Sequence, residues 1–475
     1  MLAKSLLLGI CACCSMNAMS QNWDLKSCVE YAMTNNIQVK ISQVQAAVAD
    51  VNLGQSKASR FPAANITGSG SFNNGLNQNP ITFSQITENY VAAGLQLQTS
   101  ADIFNFFSKR NTIIGNEWDL LASRAGVDKI RYDIALTVAN AYLQALLTGE
   151  QEKIAELQIL QSKEQLFNTR KLVNAGSLPE LNAAQMEAQL AADSANMINA
   201  RSNASQALLR LQQLLNLDPA LPFSIATPPV ELIPVEPIGD LQPEFVYLSA
   251  IANQPQQKAN QYKLWAAEKY LSAAKGSMKP TLSAFGSLGS SFYSKAREVT
   301  GTSTLNLPIG NVDINNTSYL VYPLQPFTVA SYGKSSFDHQ LKNNFRQSVG
   351  LALSIPLFNG YAARAGYERN LLNVKTLQLQ QEQDKNQLKQ DIYQAYNAAM
   401  VALERFNASK RLVETNEKTF SFAQKRYDVG MLNSFDLISA QNNLFRARLE
   451  YSLNRFDYVF KLKVLEFYKG QGLKL

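Results

Sequence analysis

Histidine and cysteine are almost missing from this sequence. There is one histidine, His339, and of four cysteines three (Cys11, Cys13, Cys14) lie in the first twenty residues, which leaves Cys28 alone in the remainder. That count excludes a His/Cys metal cluster and an internal disulfide framework, and any Ser-His-Asp site would have to be built on His339. No Gly-x-x-x-x-Gly-Lys-Ser/Thr phosphate loop occurs, so energy for any transport must come from another protein. No catalytic residue, metal or cofactor is expected, and the chain reads as a non-enzyme.

Long apolar runs are missing too. Beyond residue 20 no stretch of about 18 apolar residues exists, so a transmembrane helix is excluded and any membrane span must be a β-barrel. The formal charge of +7 is spread among glutamines and acids without basic blocks, so no nucleic-acid partner is expected.

What is present begins with an export signal. Lys4 is a positive start, Ser5 to Cys14 an apolar stretch, and Ala18-Met19-Ser20 a small-x-small cleavage site before Gln21. Ile10-Cys11-Ala12-Cys13 also loosely resembles a lipoprotein box with Cys13 as the lipidated residue, so cleavage after Ser20 and lipidation at Cys13 both stay open.

The sixteen prolines divide the rest. None occurs from Ile81 to Leu178 or from Leu357 to Leu475, while seven crowd between Pro219 and Pro243. Proline removes a helical hydrogen bond, so long helices are confined to the empty windows. Ile130, Ile134, Val138, Ala141 and Ala145 in the first window, and Leu388, Ile392, Tyr396, Ala399, Leu403 and Phe406 in the second, recur in steps of three and four, one helical stripe each. Asn116 to Ala175 as one helix would run on the order of 90 Å, which calls for an elongated bundle or tube. Gln380 to Gln387 holds no apolar residue, so only a narrow, coiled-coil-like seam is expected to pack there.

Strand signals flank these windows. Leu351, Leu353, Ile355 and Leu357 alternate with Ala352, Ser354 and Pro356, and Leu95 and Leu97 with Gln96, Gln98 and Ser100. Apolar-out, polar-in alternation suits a barrel facing lipid. Asn65 to Phe72 and Thr281 to Phe292 are Gly- and Ser-rich candidates, making four strands per chain.

The chain also repeats itself. At an offset of 254, Phe104-Asn105 matches Phe358-Asn359, Asn116 matches Asn370, Ala141-Tyr142 matches Ala395-Tyr396, and Gly176-x-Leu178 matches Gly430-x-Leu432. Upstream the offset is 218, pairing Asn35 with Asn253, Lys40 with Lys258 and Pro62 with Pro280. The second copy therefore carries about 36 extra residues within 290–345, expected as a loop at the outer mouth of a barrel. The expected organisation is a signal peptide over 1–20, a first repeat over 21–217, a Pro-rich linker over 218–243 and a second repeat over 244–475.

With those residues in hand, the chain resembles the TolC-like outer-membrane factors. Gly350-Leu-Ala-Leu-Ser-Ile-Pro-Leu-Phe-Asn-Gly360, Ala395-Tyr396 and Arg426-Tyr-Asp-Val-Gly-Met-Leu-Asn-Ser-Phe-Asp436 carry the resemblance, and Trp23 to Ala32 followed by Asn35-Asn36 looks like the Bacteroidetes-type start. The resemblance implies a mainly α fold with a membrane β-barrel portion. A homotrimer would combine four strands per protomer in one barrel, with long helices forming a periplasmic tunnel. Four strands alone cannot close a barrel, which independently favours an oligomer in outer-membrane lipid.

The resemblance also assigns residues. Gly176 and Gly430 would turn the helical hairpins at the periplasmic tip, with Leu178 and Leu432 beside them to dock a membrane-fusion adaptor that links to an inner-membrane pump. Asp436 would contribute to a carboxylate ring at the periplasmic gate, with Asn182 as its repeat mate and Ser439 where relatives are often acidic. The implied function is a passive exit channel of a tripartite efflux or type I secretion system. An exported coiled-coil structural or adhesive protein without a pore is the alternative, and the alternating strands argue against it.

Overall fold

The computed structural model describes residues 22–78, 85–226 and 236–470. The export signal, Cys13, the Ser20 cleavage site and part of the 218–243 linker lie outside the described residues.

In chain order the first half gives β1 (Asn22–Trp23), α1 (Leu25–Asn35), α2 (Ile37–Ala58), β2 (Ala63–Gln78), β3 (Gln85–Phe104), α3 (Ser108–Asn174), α4 (Glu180–Leu215) and β4 (Ser224–Ile225). The second half gives α5 (Pro243–Asn253), α6 (Pro255–Ser277), β5 (Thr281–Tyr293), β6 (Arg297–Leu305), β7 (Gly310–Ile314), β8 (Thr317–Val321), β9 (Phe327–Lys334), α7 (Phe337–Asn343), β10 (Arg346–Ser354), α8 (Ala362–Asp428) and α9 (Ser434–Lys469). Both α3 and α8 have 67 residues, and both α4 and α9 have 36. Ser108 and Ala362, Asn174 and Asp428, Glu180 and Ser434, and Leu215 and Lys469 each stand 254 apart. At 1.5 Å per residue a 67-residue helix spans about 100 Å.

Two compact units emerge, and each draws on both halves of the sequence. Among the described residues one comprises 22–51, 117–226, 236–267 and 373–470, the other 52–78, 85–116 and 268–372.

In the helical unit the repeat is written into the core twice. Cys28, Ala32, Val138 and Leu211 are buried in one cluster, and Val246, Ala250, Ile392 and Leu465, their equivalents at offsets of 218 or 254, are buried in another. Removing each such side chain from water contributes about 1.5–3 kcal/mol for the Val, Leu and Ile members. Cys28 is thus a small apolar core residue where the second copy has valine. Burial pushes its thiol up to about 12, with the Asp24 carboxylate adding to the effect. A thiolate-directed maleimide at pH 8 is therefore expected to leave Cys28 unlabelled in the folded protein and to label it fully in denaturant, as mass spectrometry would read. Local signals set the helix ends: Asp24 caps α1 by accepting from the Ser27 N–H at 2.8 Å, and Pro243 opens α5 at a position where its missing N–H costs nothing.

The polar run Gln380 to Gln387 does more than face water. The Asp384 carboxylate accepts from Asn260 at 2.6 Å and from Gln256 at 3.1 Å, and Gln381 donates to Gln261 at 3.1 Å. Polar pairing, not a narrow apolar seam, joins α8 to α6 at this level.

In the other unit a four-stranded antiparallel sheet has the order β10-β5-β3-β2. Its register decides which residues share a face, because side chains alternate along each strand. Ile66, Leu97, Leu288 and Gln347 lie in one row across the sheet, and Leu95, Ser290 and Gly68 in the next of that face. With Phe72, Val91, Ala93, Ala284, Leu351 and Leu353 this face is almost wholly apolar or small, and Ile66, Leu95, Leu351 and Leu353 are 60–69% exposed. The opposite face carries Thr67, Ser69, Gln96, Gln98, Ser287 and Ser348, with Ser287 and Ser348 hydroxyls 2.8 Å apart. It lines a concave trough of about 890 Å³. β10 stops at Ser354, so Ile355 and Leu357 lie beyond the sheet, where Pro356 has no N–H to continue a ladder.

The insert is not a loop. β6 pairs with β9 and β7 with β8 in a long antiparallel ribbon, and α7 follows. Asn315 and Asn316 both have positive φ between the paired residues Ile314 and Thr317, a two-residue turn whose twist matches the strands. Val, Thr, Ile and Tyr in the flanking strands suit that geometry.

His339 lies on α7 and its Nε2 is 2.8 Å from Glu298 Oε2, which also accepts from Ser335 Oγ at 3.0 Å. The carboxylate stands between the Ser335 hydroxyl and the imidazole, an order unlike the serine–histidine–carboxylate relay of a triad.

Candidate functional site

The sequence-derived site residues gather at one end of the helical unit, where α3 turns into α4 and α8 into α9. Gly176 and Gly430 have φ of +73° and +74°, a left-handed conformation that glycine adopts without steric cost. Around Gly176 its own N–H bonds to Val173 O and the Ser177 N–H to Leu172 O; around Gly430 the N–H bonds to Tyr427 O and the Met431 N–H to Arg426 O. These are the same Schellman closure twice, and each satisfies carbonyls the helix would leave open.

Open space surrounds Gly430, so room is not what requires glycine there. Gly430→Val should cost about 1–2 kcal/mol through the left-handed backbone alone. Limited trypsin digestion should then nick the tip faster at Lys425 or Arg426, with the rest of the helical unit unchanged.

Leu178 and Leu432 do not project freely. Both are half-buried against Met186, Tyr427 and Leu437, with Leu166, Phe420 and Ala423 around them. Their apolar contact beside the turn is the packing that accompanies such caps. The apolar side chains that do stand out are Val429, Met431, Phe435 and Leu181. Spacing from the glycine could not separate the two sets, because the turn reverses which residues face inward.

Asp436 is exposed in the first turn of α9, its N–H donating to the Asn433 side chain at 2.8 Å. A carboxylate there is favoured by the helix dipole, and among the described residues no cation pairs with it. Ser439, three residues on, is also exposed, whereas Asn182 is half-buried with its N–H on Pro179 O at 3.0 Å.

Sequence reasoning missed a buried polar layer linking the two hairpins. Ser162 Oγ donates to Asp193 Oδ2 at 2.5 Å and accepts from Gln441 Nε2 at 3.1 Å. Gln189 donates to Asp193 at 2.9 Å and to Asn442 at 3.2 Å, and Gln185 contacts Ser434. Gln165 donates to Gln424 at 3.2 Å, and the Thr169 and Tyr427 hydroxyls are 2.9 Å apart. Burial raises the Tyr427 pKa, so the phenol stays neutral. The signal was available: Ala155, Ile159, Ser162, Leu166 and Thr169 follow one another in steps of three and four, with polar residues at seam positions.

This architecture has close counterparts. The family model described as "Outer membrane efflux protein" matches residues 29–217 and 328–470. The chain is 21% identical to the outer membrane protein TolC of Escherichia coli (strain K12), over 93% of this chain and 81% of that protein. It is 20% identical to the cation efflux system protein CusC of the same organism, over 94% and 86%. The crystal structure of the Campylobacter jejuni CmeC outer membrane channel superposes with a TM-score of 0.73 at 16% identity, covering 95% of this chain and 86% of that one. The duplicated hairpins, the two-faced sheet and these matches together place the chain in the outer membrane efflux protein family, as an outer-membrane exit channel reaching into the periplasm.

Proposed function

We propose that three copies of this chain form a passive duct. In it the sheets complete one twelve-stranded barrel in outer-membrane lipid and the paired helices enclose a periplasmic tunnel. The observation that carries this reading is the sheet itself: one face apolar and exposed, the other polar and concave, and both edge strands, β2 and β10, without a further strand partner among the described residues. An open edge in hydrocarbon leaves backbone N–H and C=O groups unsatisfied, so neighbouring copies must pair β10 with β2. No catalysis is assigned; the duct conducts and the driving force comes from an inner-membrane pump through a periplasmic adaptor.

The tips around Gly176 and Gly430 are the adaptor-docking ends, with Leu178 and Leu432 holding their shape and Val429, Met431, Phe435 and Leu181 offering the apolar contact. At the same end three copies of Asp436 form a carboxylate ring that attracts cations and whose mutual repulsion favours opening. Ser439 and Asn182 add no charge to it. The chain is divided as a signal over 1–20, repeats over 21–217 and 244–475, and a linker over 218–243.

Purified protein in a planar bilayer tests the duct. Discrete conductance steps with no energy source are expected, and cation preference should fall in Asp436→Asn. A protein that never conducts, yet binds surfaces or other cells, would instead be the poreless structural or adhesive alternative.

A further inference from the structure

Within the helical unit a cavity of about 380 Å³ is walled by both repeats, with α3 on one side and α6, α8 and the end of α9 on the other. Three carboxylates and one amine line it: Asp133 and Lys129 from α3, Asp384 and Asp391 from α8. Lys129 Nζ lies 3.0 Å from Asp133 and offsets its charge. Asp384 and Asp391 are half-buried, and among the described residues no cation pairs with either.

Their hydrogen bonds leave acceptor capacity unused. Asp384 takes Asn260 and Gln256 on Oδ2 alone, and Asp391 takes Gln387 on Oδ1 at 2.8 Å. In the α6 wall Gln257 is 7% exposed, and its Oε1 accepts no hydrogen bond. A buried acceptor without a donor is costly until something brings one.

The duplication shows that this polarity is not demanded by the fold. At offsets of 218 and 254 the counterparts of Gln257, Asp384, Asp391 and Tyr468 are Val39, Ile130, Thr137 and Leu214. Val39 is fully buried, so the first copy puts an apolar side chain where the second holds an open acceptor.

The placement of the groups selects the ligand. Asp384 and Asp391 are two helical turns apart on one face of α8, about 10 Å along its axis, a span that a single ion does not bridge. Among the described residues no three His, Cys, Asp or Glu side chains converge to hold a metal. Carboxylate and amide oxygens accept, so the ligand must bring N–H donors as well as positive charge. Leu136, Leu388 and Tyr468 in the same wall offer apolar surface to a hydrocarbon chain. Burial raises the Tyr468 pKa, and the Asp391 and Asp133 carboxylates add to it, so negative charge from both sides bears on that phenol.

We propose that this cavity binds a linear aliphatic polyamine, with ammonium groups on Asp384 and Asp391, an N–H on Gln257 Oε1 and methylenes against the leucine and tyrosine side chains. The bound amine ties α6 and α8 of the second repeat to α3 of the first.

Isothermal titration of detergent-solubilised full-length protein with spermidine tests this. Saturable binding of one spermidine per chain is expected at an ionic strength that screens loose surface attraction. Asp391→Asn keeps the shape and removes one charge-assisted contact, so affinity should fall about tenfold. Gln257→Val, which installs the first copy's residue, should weaken binding too, with helix content by circular dichroism unchanged in both variants. Asp436→Asn, at the hairpin tip, should bind like the parent. Absence of saturable binding to the parent, or parental affinity in both Asp391→Asn and Gln257→Val, would overturn the proposal. Loss of binding in Asp436→Asn alone would also overturn it, by placing the amine on the tip carboxylates.

Discussion

Replacing Leu95 and Leu351 together by arginine is expected to keep the protein out of the outer membrane. Both side chains lie on the apolar face of the four-stranded sheet, on β3 and β10, and both are more than half exposed in the single chain. In a barrel that exposure is to hydrocarbon, where a lipid-facing arginine costs about 2–4 kcal/mol at the midplane and less near the interfaces. Two per protomer in a threefold assembly multiply the penalty beyond the few kcal/mol by which folded proteins are stable. The matched control reverses the face. Gln96→Arg with Ser348→Arg points the same charges into the polar trough, and outer-membrane content should stay close to that of the unmodified protein. Immunoblots of separated membrane fractions read both variants. Equal loss in both would mean that the faces have been misassigned.

Lys463→Met should be the most damaging single substitution in the helical unit. Lys463 and Glu466 form an ion pair at 2.7 Å with both side chains almost fully buried, and Glu466 also accepts the Glu236 N–H at 2.8 Å. That second bond pins the end of the inter-repeat segment to α9, and Lys469 to Glu236 at 2.8 Å adds a half-exposed clasp. Removing only the lysine leaves a buried carboxylate uncompensated, which costs about 3–5 kcal/mol. Lys463→Met combined with Glu466→Gln removes the charge yet keeps an acceptor for Glu236, and should recover most of that loss. Urea midpoints of detergent-solubilised protein compare the three. A single variant within about 1 kcal/mol of the parent would show that water still reaches the pair.

Much of the architecture was legible because proline and periodicity act locally. The proline-free windows are where α3 and α8 run, and the stripes from Val138 to Ala145 and from Leu388 to Ala399 are the buried ones. The offset found in Gly176-x-Leu178 and Gly430-x-Leu432 reappears as two matching turns. What was not legible depended on partners distant in sequence. The Gln380 to Gln387 run reads as packing only along a narrow coiled-coil-like seam until Gln256 and Asn260, more than a hundred residues earlier, meet Asp384. Leu178 and Leu432 read as projecting until the turn folds them onto Met186 and Leu437. The insert looked structureless because its ribbon is exposed on both faces, so no buried stripe marks it, and only the Asn315-Asn316 turn gives it away.

The most direct test of the trimeric outer-membrane channel is the mass and location of the intact protein. Membranes separated on a density gradient, followed by detergent extraction and native mass spectrometry, should give a species of three chains in the outer-membrane fraction. A soluble single chain in the periplasmic fraction would contradict the account.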